Sequence, residues 1–409
     1  MNIAKRAYHA AIKLGTTKGA ERSRAVLAMA RALKCSFDDI LEANTLDLEA
    51  SREMAVPELI LDWLKLTPSR LQSTVNLLER LGELSDPLRR LRTADYQQED
   101  SQSYTQLMPL GVIGFIYEAL PELGAIAAGF CLKTGNSLIL KGSTEASHSN
   151  RAIAEILQTA ILDAGLPNGC VELVTAEHST SIRDLVTQED YLSLVIPYGR
   201  SSLIQQVVRQ ATCPVLKSAM GNCYLYWSLN GSLEMVRWMI LDSHESEPDP
   251  VNAIEKVLIH RQSLPSSLSA LWNSLKDRGF QLRGDGELVQ AFPQLQFVQD
   301  EEWATPYLNK TIAFKLVDTL DSAIAWINQY SSSHADAIAT ESYQESRQFA
   351  LGVNSASTYI NASPRFARNS SRGDAVFLGM SNQRGHSRGF ISLETLTTVK
   401  HIIQGNGRF

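Results

Sequence analysis

The feature that most restricts the fold is a repeated alternation of short apolar runs and helical segments between Leu110 and Arg209. Val112–Tyr117 is a mostly apolar run of strand length, and Pro121 and Glu122 then open a helix rich in Ala and Leu that ends near Gly135. Ser137–Lys141, Val171–Val174 and Leu192–Ile196 read as further strands, with helical segments at Ala152–Ala164, Ser181–Val186 and Leu203–Arg209. Strands that are apolar almost throughout have no solvent face, so they predict a parallel sheet with helices on both sides. Ligands of such sheets lie beyond the carboxyl ends of the strands, and the pattern is that of a nucleotide-binding α/β domain. A second α/β unit is expected farther on. Its strands are Val257–Ile259, Gln296–Val298 and Ile312–Val317, its helices Leu268–Lys276 and Leu320–Tyr330, and the chain returns through Ser357–Asn361.

Ahead of the first unit the chain reads as helical to about Leu91. Thr16 or Thr17 is the expected cap of a helix whose apolar positions include Ala25, Val26, Met29, Ala32 and Leu33. Thr67-Pro68 starts another, with Leu71, Val75, Leu78 and Leu81 as its stripe and Gly82 and Asp86-Pro87 as its end. The polar stretch Asp95–Gln106 is either a solvated loop or a projecting β-hairpin, and Leu393–Ile403 is a strand or a short helix. At 409 residues the chain can bury two cores, and its net charge of −6 gives no pull towards nucleic acid or anionic lipid. No apolar run reaches the roughly 18 residues of a membrane span. Five scattered cysteines without a Cys-x-x-Cys pair argue against a disulfide framework or a zinc site and for a reducing cytoplasm.

Chemistry is expected in three places. Lys141 at a strand end, followed by Gly142-Ser-Thr-Glu145, puts a cation and a small-residue turn where a phosphate-bearing ligand would lie; a solvated lysine is the alternative. Gly199, just ahead of a helix, exposes backbone N–H groups suited to a pyrophosphate. From His244 to Glu255, Pro248, Pro250 and the carboxylates rule out a regular helix or central strand, so this is a loop feeding the apolar segment at Lys256–Ile259. His244, Glu245, Glu247 and Asp249 are either a solvated acidic loop or ligands of a hard metal, although no spacing motif supports a metal. Arg365, Arg368, Arg372, Arg384 and Arg388 are either a solvated basic tract or a site for an anion or partner.

Several of these segments carry a resemblance to a known family. Pro109-Leu-Gly-Val-Ile-Gly114, Tyr117-Glu-Ala119, Lys133-Thr-Gly-Asn136, Met220-Gly-Asn-Cys223, Tyr359-Ile-Asn-Ala-Ser363, Arg365-Phe366, His386-Ser-Arg-Gly389 and Leu393–Thr398 resemble motifs of the gamma-glutamyl phosphate reductases (glutamate-5-semialdehyde dehydrogenases), within the aldehyde dehydrogenase superfamily. The resemblance covers nearly the whole chain. It implies an α/β, aldehyde dehydrogenase-like fold: a Rossmann-like cofactor domain at 1–94 and 107–229, an α/β catalytic domain at 230–362, and oligomerisation elements at 95–106 and 390–409. It further implies NADP(H) held by Lys141, Gly142, Gly199 and Ser201, with Glu118, Asn361 and His386 at the substrate. A small-molecule substrate and a homo-oligomer, dimer or tetramer, follow from it, without nucleic acid, membrane or metal.

The departures from that pattern concentrate at the chemistry. The family's Pro-x-x-Cys-Asn-Ala-x-Glu, whose Cys is the nucleophile, reads here Pro248-Asp-Pro-Val251-Asn252-Ala253-Ile254-Glu255. The expected catalytic positions are thus Val251, Asn252 and Glu255, and valine has no lone pair with which to form a thioester. Lys-Thr-Gln-Arg-Pro ahead of the Cys becomes His244-Glu-Ser-Glu-Pro248, with Asp249 after it, so cations that suit an acyl phosphate give way to carboxylates. Arg-Pro-Asn becomes Leu120-Pro121-Glu122, and Ile-Pro-Arg-Gly-Gly becomes Ile196-Pro-Tyr198-Gly199-Arg200. The family's ribose-binding Glu falls at Pro306, and its late Gly-Ala-Glu at Ala375-Val376-Phe377. Three functions stand open: an NADPH-dependent reductase forming L-glutamate 5-semialdehyde for proline biosynthesis, a non-catalytic relative serving as nucleotide-binding or oligomeric scaffold, and a reductase for a less anionic substrate.

Overall fold

In the computed structural model, residues 3–93, 101–175, 180–245, 251–369, 375–385 and 387–405 are described. They fall into two compact units. The first comprises Met1–Ser218, Arg368–Gly379 and Phe390–Phe409, the second Ala219–Ala367 and Met380–Gly389.

Five helices open the first unit: α1 (Ile3–Thr16), α2 (Gly19–Cys35), α3 (Phe37–Glu53), α4 (Glu58–Leu64) and α5 (Pro68–Glu83). The proline start of α5 is as expected, with the Thr67 hydroxyl accepting from Arg70 N at 3.2 Å. The start of α2 is not. Its N-cap is Lys18, without a side-chain bond, while the hydroxyls of Thr16 and Thr17 turn back to the Lys13 carbonyl and finish α1. Gly82 does not end α5 either; it lies in the last turn, where a Cβ would come 2.6 Å from Leu27 of α2.

Next come β1 (Leu91–Thr93), β2 (Ser101–Pro109), β3 (Val112–Tyr117), β4 (Ser137–Gly142), β5 (Val171–Leu173), β6 (Leu194–Gly199) and β7 (Ser218–Ala219). Between and after them run α6 (Glu122–Lys133), α7 (Ser147–Asp163), α8 (Ile182–Val186) and α9 (Ser201–Gln210). The sheet order β5-β4-β3-β6-β7, with parallel pairing of β3 to both β4 and β6, meets the sequence expectation. Every residue of β3 is buried, and so is every residue of α6, which explains an apolar pattern with no periodic polar face. The one cation at the end of α6, Lys133, donates to Ser23 Oγ at 2.7 Å and to the Gly82 carbonyl at 3.1 Å, and burial lowers its pKa to about 8.

The second unit is a seven-stranded sheet, parallel throughout. Its strands are β8 (Cys223–Trp227), β9 (Ile254–His260), β10 (Gln281–Gly284), β11 (Gln296–Phe297), β12 (Thr311–Val317), β13 (Ala335–Ala339) and β14 (Ser357–Ile360), in the order β11-β10-β12-β9-β8-β13-β14. Helices α10 (Leu233–Ser243), α11 (Pro265–Lys276), α12 (Gly286–Ala291), α13 (Leu320–Tyr330) and α14 (Tyr343–Gly352) cover it. Alternate residues of β8 serve opposite cores: Leu225 and Trp227 join Trp272 and Phe314, whereas Tyr224 and Tyr226 join Ile327 and Phe349.

The chain ends through a two-stranded ribbon, β15 (Gly379–Ser381) with β16 (Gly389–Ile391), and the long β17 (Thr397–Gly405). β17 pairs antiparallel with β2 from Thr397↔Pro109 to Gly405↔Ser101, and β1 flanks β2 on its other side. Of the stretch left open between loop and hairpin, Ser101–Gln106 is therefore strand, and residues 95–100 lie outside the described part. Glu394–Leu396 forms a helical turn before β17, so both readings of that segment hold in succession. Asn136 fixes the junction, with Nδ2 donating to the Leu396 carbonyl and Oδ1 accepting from Gly111 N.

Candidate active site

In the first unit, β4 and β6 leave β3 on opposite sides, so the strand order reverses beside β3 and opens a crevice at the carboxyl ends. Glu118 follows β3, Lys141 lies in β4, and Gly199-Arg200 leads from β6 into α9. A cavity of about 260 Å³ lies here, walled by Ile60, Ile116, Ile182 and Leu203 and edged by Glu118, Lys141, Gly142, Ser143 and Arg200. That volume is below the roughly 300 Å³ at which pockets enclose a drug-sized ligand, so the cavity has room for only part of a ligand of that size.

The polar edge of the cavity is ordered. Lys141 Nζ donates to the Thr180 carbonyl at 2.9 Å, which leaves the ammonium further donors, and burial lowers its pKa. Gly142 has no room for a side chain, because a Cβ would come 2.1 Å from Asn150 Nδ2, while Asn150 Oδ1 accepts from the Tyr117 hydroxyl at 2.9 Å. Gly199 has φ +148°, and a Cβ there would meet Glu118 Oε2 at 2.7 Å. The Glu118 carboxylate accepts from Arg200 N at 2.8 Å and from Arg200 Nε and Nη2, each at 3.1 Å. Ser201 begins α9, whose cap residue Arg200 supplies no side-chain bond to the first N–H groups. Tyr198, in place of the family's arginine, points into the core beside Phe115 and accepts from Arg368.

In the second unit the expected catalytic positions lie at the amino end of the sheet. Val251 is buried, and its carbonyl accepts from Gly221 N at 2.9 Å. A side chain on Gly221 would stand 2.3 Å from that carbonyl and 2.9 Å from Cys223 Sγ, so glycine is what allows the approach. Cys223, at the start of β8 and paired with Ile254 of β9, brings a thiol close to residue 251. It is fully buried, and burial together with Asp336 pushes the thiol well above its ordinary pKa, so it is a protonated core residue. Cys213 lies in the first unit, its thiol bonded to the Val186 carbonyl.

Asn252 is also buried, and neither atom of its amide has a partner among the described residues. The Glu255 carboxylate is fully buried and accepts from Tyr307 N and Leu308 N, each at 2.6 Å. Lys256, equally buried, lies 3.5 Å from it and 3.5 Å over the Tyr307 ring, and donates to the Thr305 carbonyl. Burial raises the Glu255 pKa and lowers that of Lys256 to about 8. Pro306 therefore sits in a loop anchored on both sides by this pair. Asn361 (φ +51°) spends its amide on both backbone groups of Thr340, at 2.9 and 2.7 Å, and thereby ties the end of β14 to that of β13. His386 lies outside the described residues.

His244 Nε2 donates to the Ile254 carbonyl (2.9 Å), with its ring edge-on to Phe280, so that nitrogen is engaged by the backbone; Glu247 and Asp249 lie outside the described residues. The basic tract does not act as one set: Arg365 pairs with Asp242, Arg368 meets Tyr198, and Arg388 meets Asn354.

Sequence reasoning passed over two arrangements. One is the Glu118–Arg200 pair, for which the sequence signal was a charge of opposite sign in the second of the family's glycine places. The other is Asp336, buried at the start of β13, accepting from Tyr224 N at 2.7 Å and from the hydroxyls of Ser331 and Ser355. Burial raises its carboxyl from 3.8 to about 6. Its folded pKa lies above the unfolded one, so between these values the folded state binds more protons and stability falls as pH rises. We expect the second unit to lose up to about 3 kcal/mol from pH 4 through pH 6 by this group alone, and Asp336→Asn to flatten that slope in urea titrations. An unchanged slope would discount it.

Residues 1–221 match the aldehyde dehydrogenase family. The chain is 55% identical to gamma-glutamyl phosphate reductase 2 of Synechocystis sp., over 98% of this chain and 96% of that protein. It is 39% identical to gamma-glutamyl phosphate reductase of Gloeobacter violaceus, over 99% and 96%. Among solved structures, gamma-glutamyl phosphate reductase from Thermotoga maritima superposes with a TM-score of 0.89 at 31% identity, covering 100% of this chain and 98% of that one.

Proposed function

The chain belongs to the gamma-glutamyl phosphate reductases, within the aldehyde dehydrogenase family, and from that membership we propose that it is a nucleotide-binding relative in which the thiol-dependent step has no nucleophile. A nicotinamide cofactor is what the family implies, and such a group would supply or accept hydride when bound. The first unit fits it: an apolar slot at the strand-order reversal, a partly buried lysine at its edge, and a helix opening behind a glycine at positive φ. Lys141 would hold the ribose or its phosphate, a contact with the phosphate favouring NADP(H), and Gly199 and Ser201 would face the pyrophosphate. β2 and β17 would carry the oligomer contact.

One observation carries the non-catalytic half of the proposal: the buried valine at residue 251. Its neighbour Cys223 does not replace it, because a buried protonated thiol is a poor nucleophile. Glu255 would act as the anchor of the 305–308 loop, both its oxygens being taken by backbone N–H groups. The second reading, formation of glutamate 5-semialdehyde as by the reductases named above, is favoured by the 55% identity over 98% of the chain. It requires a nucleophile other than residue 251.

Alkylation separates the two. Of the five cysteines only Cys35 is exposed, so N-ethylmaleimide should add a single adduct to the native protein, and NADPH affinity, read by nucleotide fluorescence, should not change. A second adduct accompanied by loss of a measurable turnover would mean that another cysteine performs the chemistry.

A further inference from the structure

The ion pair at the strand-order reversal deepens the nucleotide reading and rests on it. Glu118 and Arg200 follow the two strands whose divergence opens the crevice, and both edge the cavity. The Glu118 carboxylate already accepts the Arg200 N–H at 2.8 Å, beside the opening of α9, where an anionic ligand would take its first backbone bond. It lies so close to Gly199 that no side chain fits between them. A bare carboxylate in that place repels a pyrophosphate. Arg200 changes the balance, because its Nε and Nη2 are spent on Glu118 while Nη1, on a side chain 42% exposed, has no partner among the described residues.

We propose that Arg200 is a positioning residue for the pyrophosphate of the nucleotide: it neutralises Glu118 and presents its remaining donor to the ligand. The residue that fills the family's open glycine place thus supports binding here and does not block it.

The test uses the full chain and three probes: NADPH and ADP-ribose, which carry the pyrophosphate, and adenosine 2′-monophosphate, which does not. Arg200→Gly should weaken NADPH and ADP-ribose about tenfold, the worth of one charge-assisted hydrogen bond, and leave adenosine 2′-monophosphate within about twofold. Arg200→Lys should recover part of the loss, and adding Glu118→Gln to Arg200→Gly should recover most of it. Equal or tighter NADPH binding by Arg200→Gly would overturn the proposal. So would equal loss of all three probes with an unchanged melting curve. Should Arg200→Gly not fold, Glu118→Gln alone decides, since it should tighten NADPH binding; weaker binding there would overturn the proposal as well. Wild-type protein that binds none of the probes would remove the nucleotide reading and this inference together, whereas an indifferent Arg200→Gly removes only the inference.

Discussion

Supplied with L-glutamate 5-semialdehyde, phosphate and NADP, the purified protein should produce NADPH at least about a thousandfold more slowly than a relative with cysteine in the frame, because removing an obligatory covalent nucleophile usually removes most of the rate. Val251→Cys should restore only a trace of activity. The new thiol would inherit the burial of Val251, whose backbone is fixed on Gly221, and burial holds thiols protonated. The flanking sequence would still carry Glu245, Glu247 and Asp249 around the stretch where the family has cations, and two like charges at about 4 Å repel by about 1 kcal/mol even in water. Adding Glu245→Thr and Glu247→Arg should raise the rate well above that of Val251→Cys alone. Turnover by the wild-type protein near that of the relative would show that another group replaces the thiolate. Full recovery by Val251→Cys alone would show that the flanking charges do not matter.

The second large effect is expected on stability. Glu255→Ala should destabilise the second unit by about 3–5 kcal/mol, the usual result of breaking a buried pair from one side. Lys256, whose charged form Glu255 helps to hold, would be left buried with no counter-charge beside it, and the N–H groups of Tyr307 and Leu308 would lose their acceptors. Glu255→Gln, which keeps one acceptor, should cost less. Urea unfolding followed by tryptophan emission suits the measurement, since Trp303 and Trp326 pack edge-on near the anchored loop. A loss below about 1 kcal/mol for Glu255→Ala would mean that the loop is held by other contacts.

The sheets were legible because burial on both faces writes itself into the sequence as unbroken apolar runs, and Val112–Tyr117 coincides with β3 to the residue; Leu320–Tyr330, read from its one-sided apolar spacing, coincides with α13. Capping was read well where proline fixed it, at Thr67-Pro68, and misread at Thr16 and Thr17. A threonine hydroxyl satisfies a preceding carbonyl as readily as a following N–H, and which it meets depends on the turn between α1 and α2. The sequence offers candidate site positions but not the partnerships that their side chains make. Nothing in the spacing of Glu118 and Arg200, 82 residues apart, announces a three-point contact, because strand order creates that proximity. Asn361 likewise read as a ligand-facing polar residue, yet its amide completes a backbone ladder that only the pairing of β13 with β14 makes available.

The first unit is discontinuous: its last strand, β17, pairs with β2 nearly three hundred residues earlier, and the whole second unit lies between them in the chain. During synthesis, then, the second unit can emerge and close while the first still lacks an edge. β2 waits with one side unpaired, a template for any other extended segment, until the end of the chain is made. Completion of the first unit is therefore the late event on the ribosome, although most of its residues are translated first.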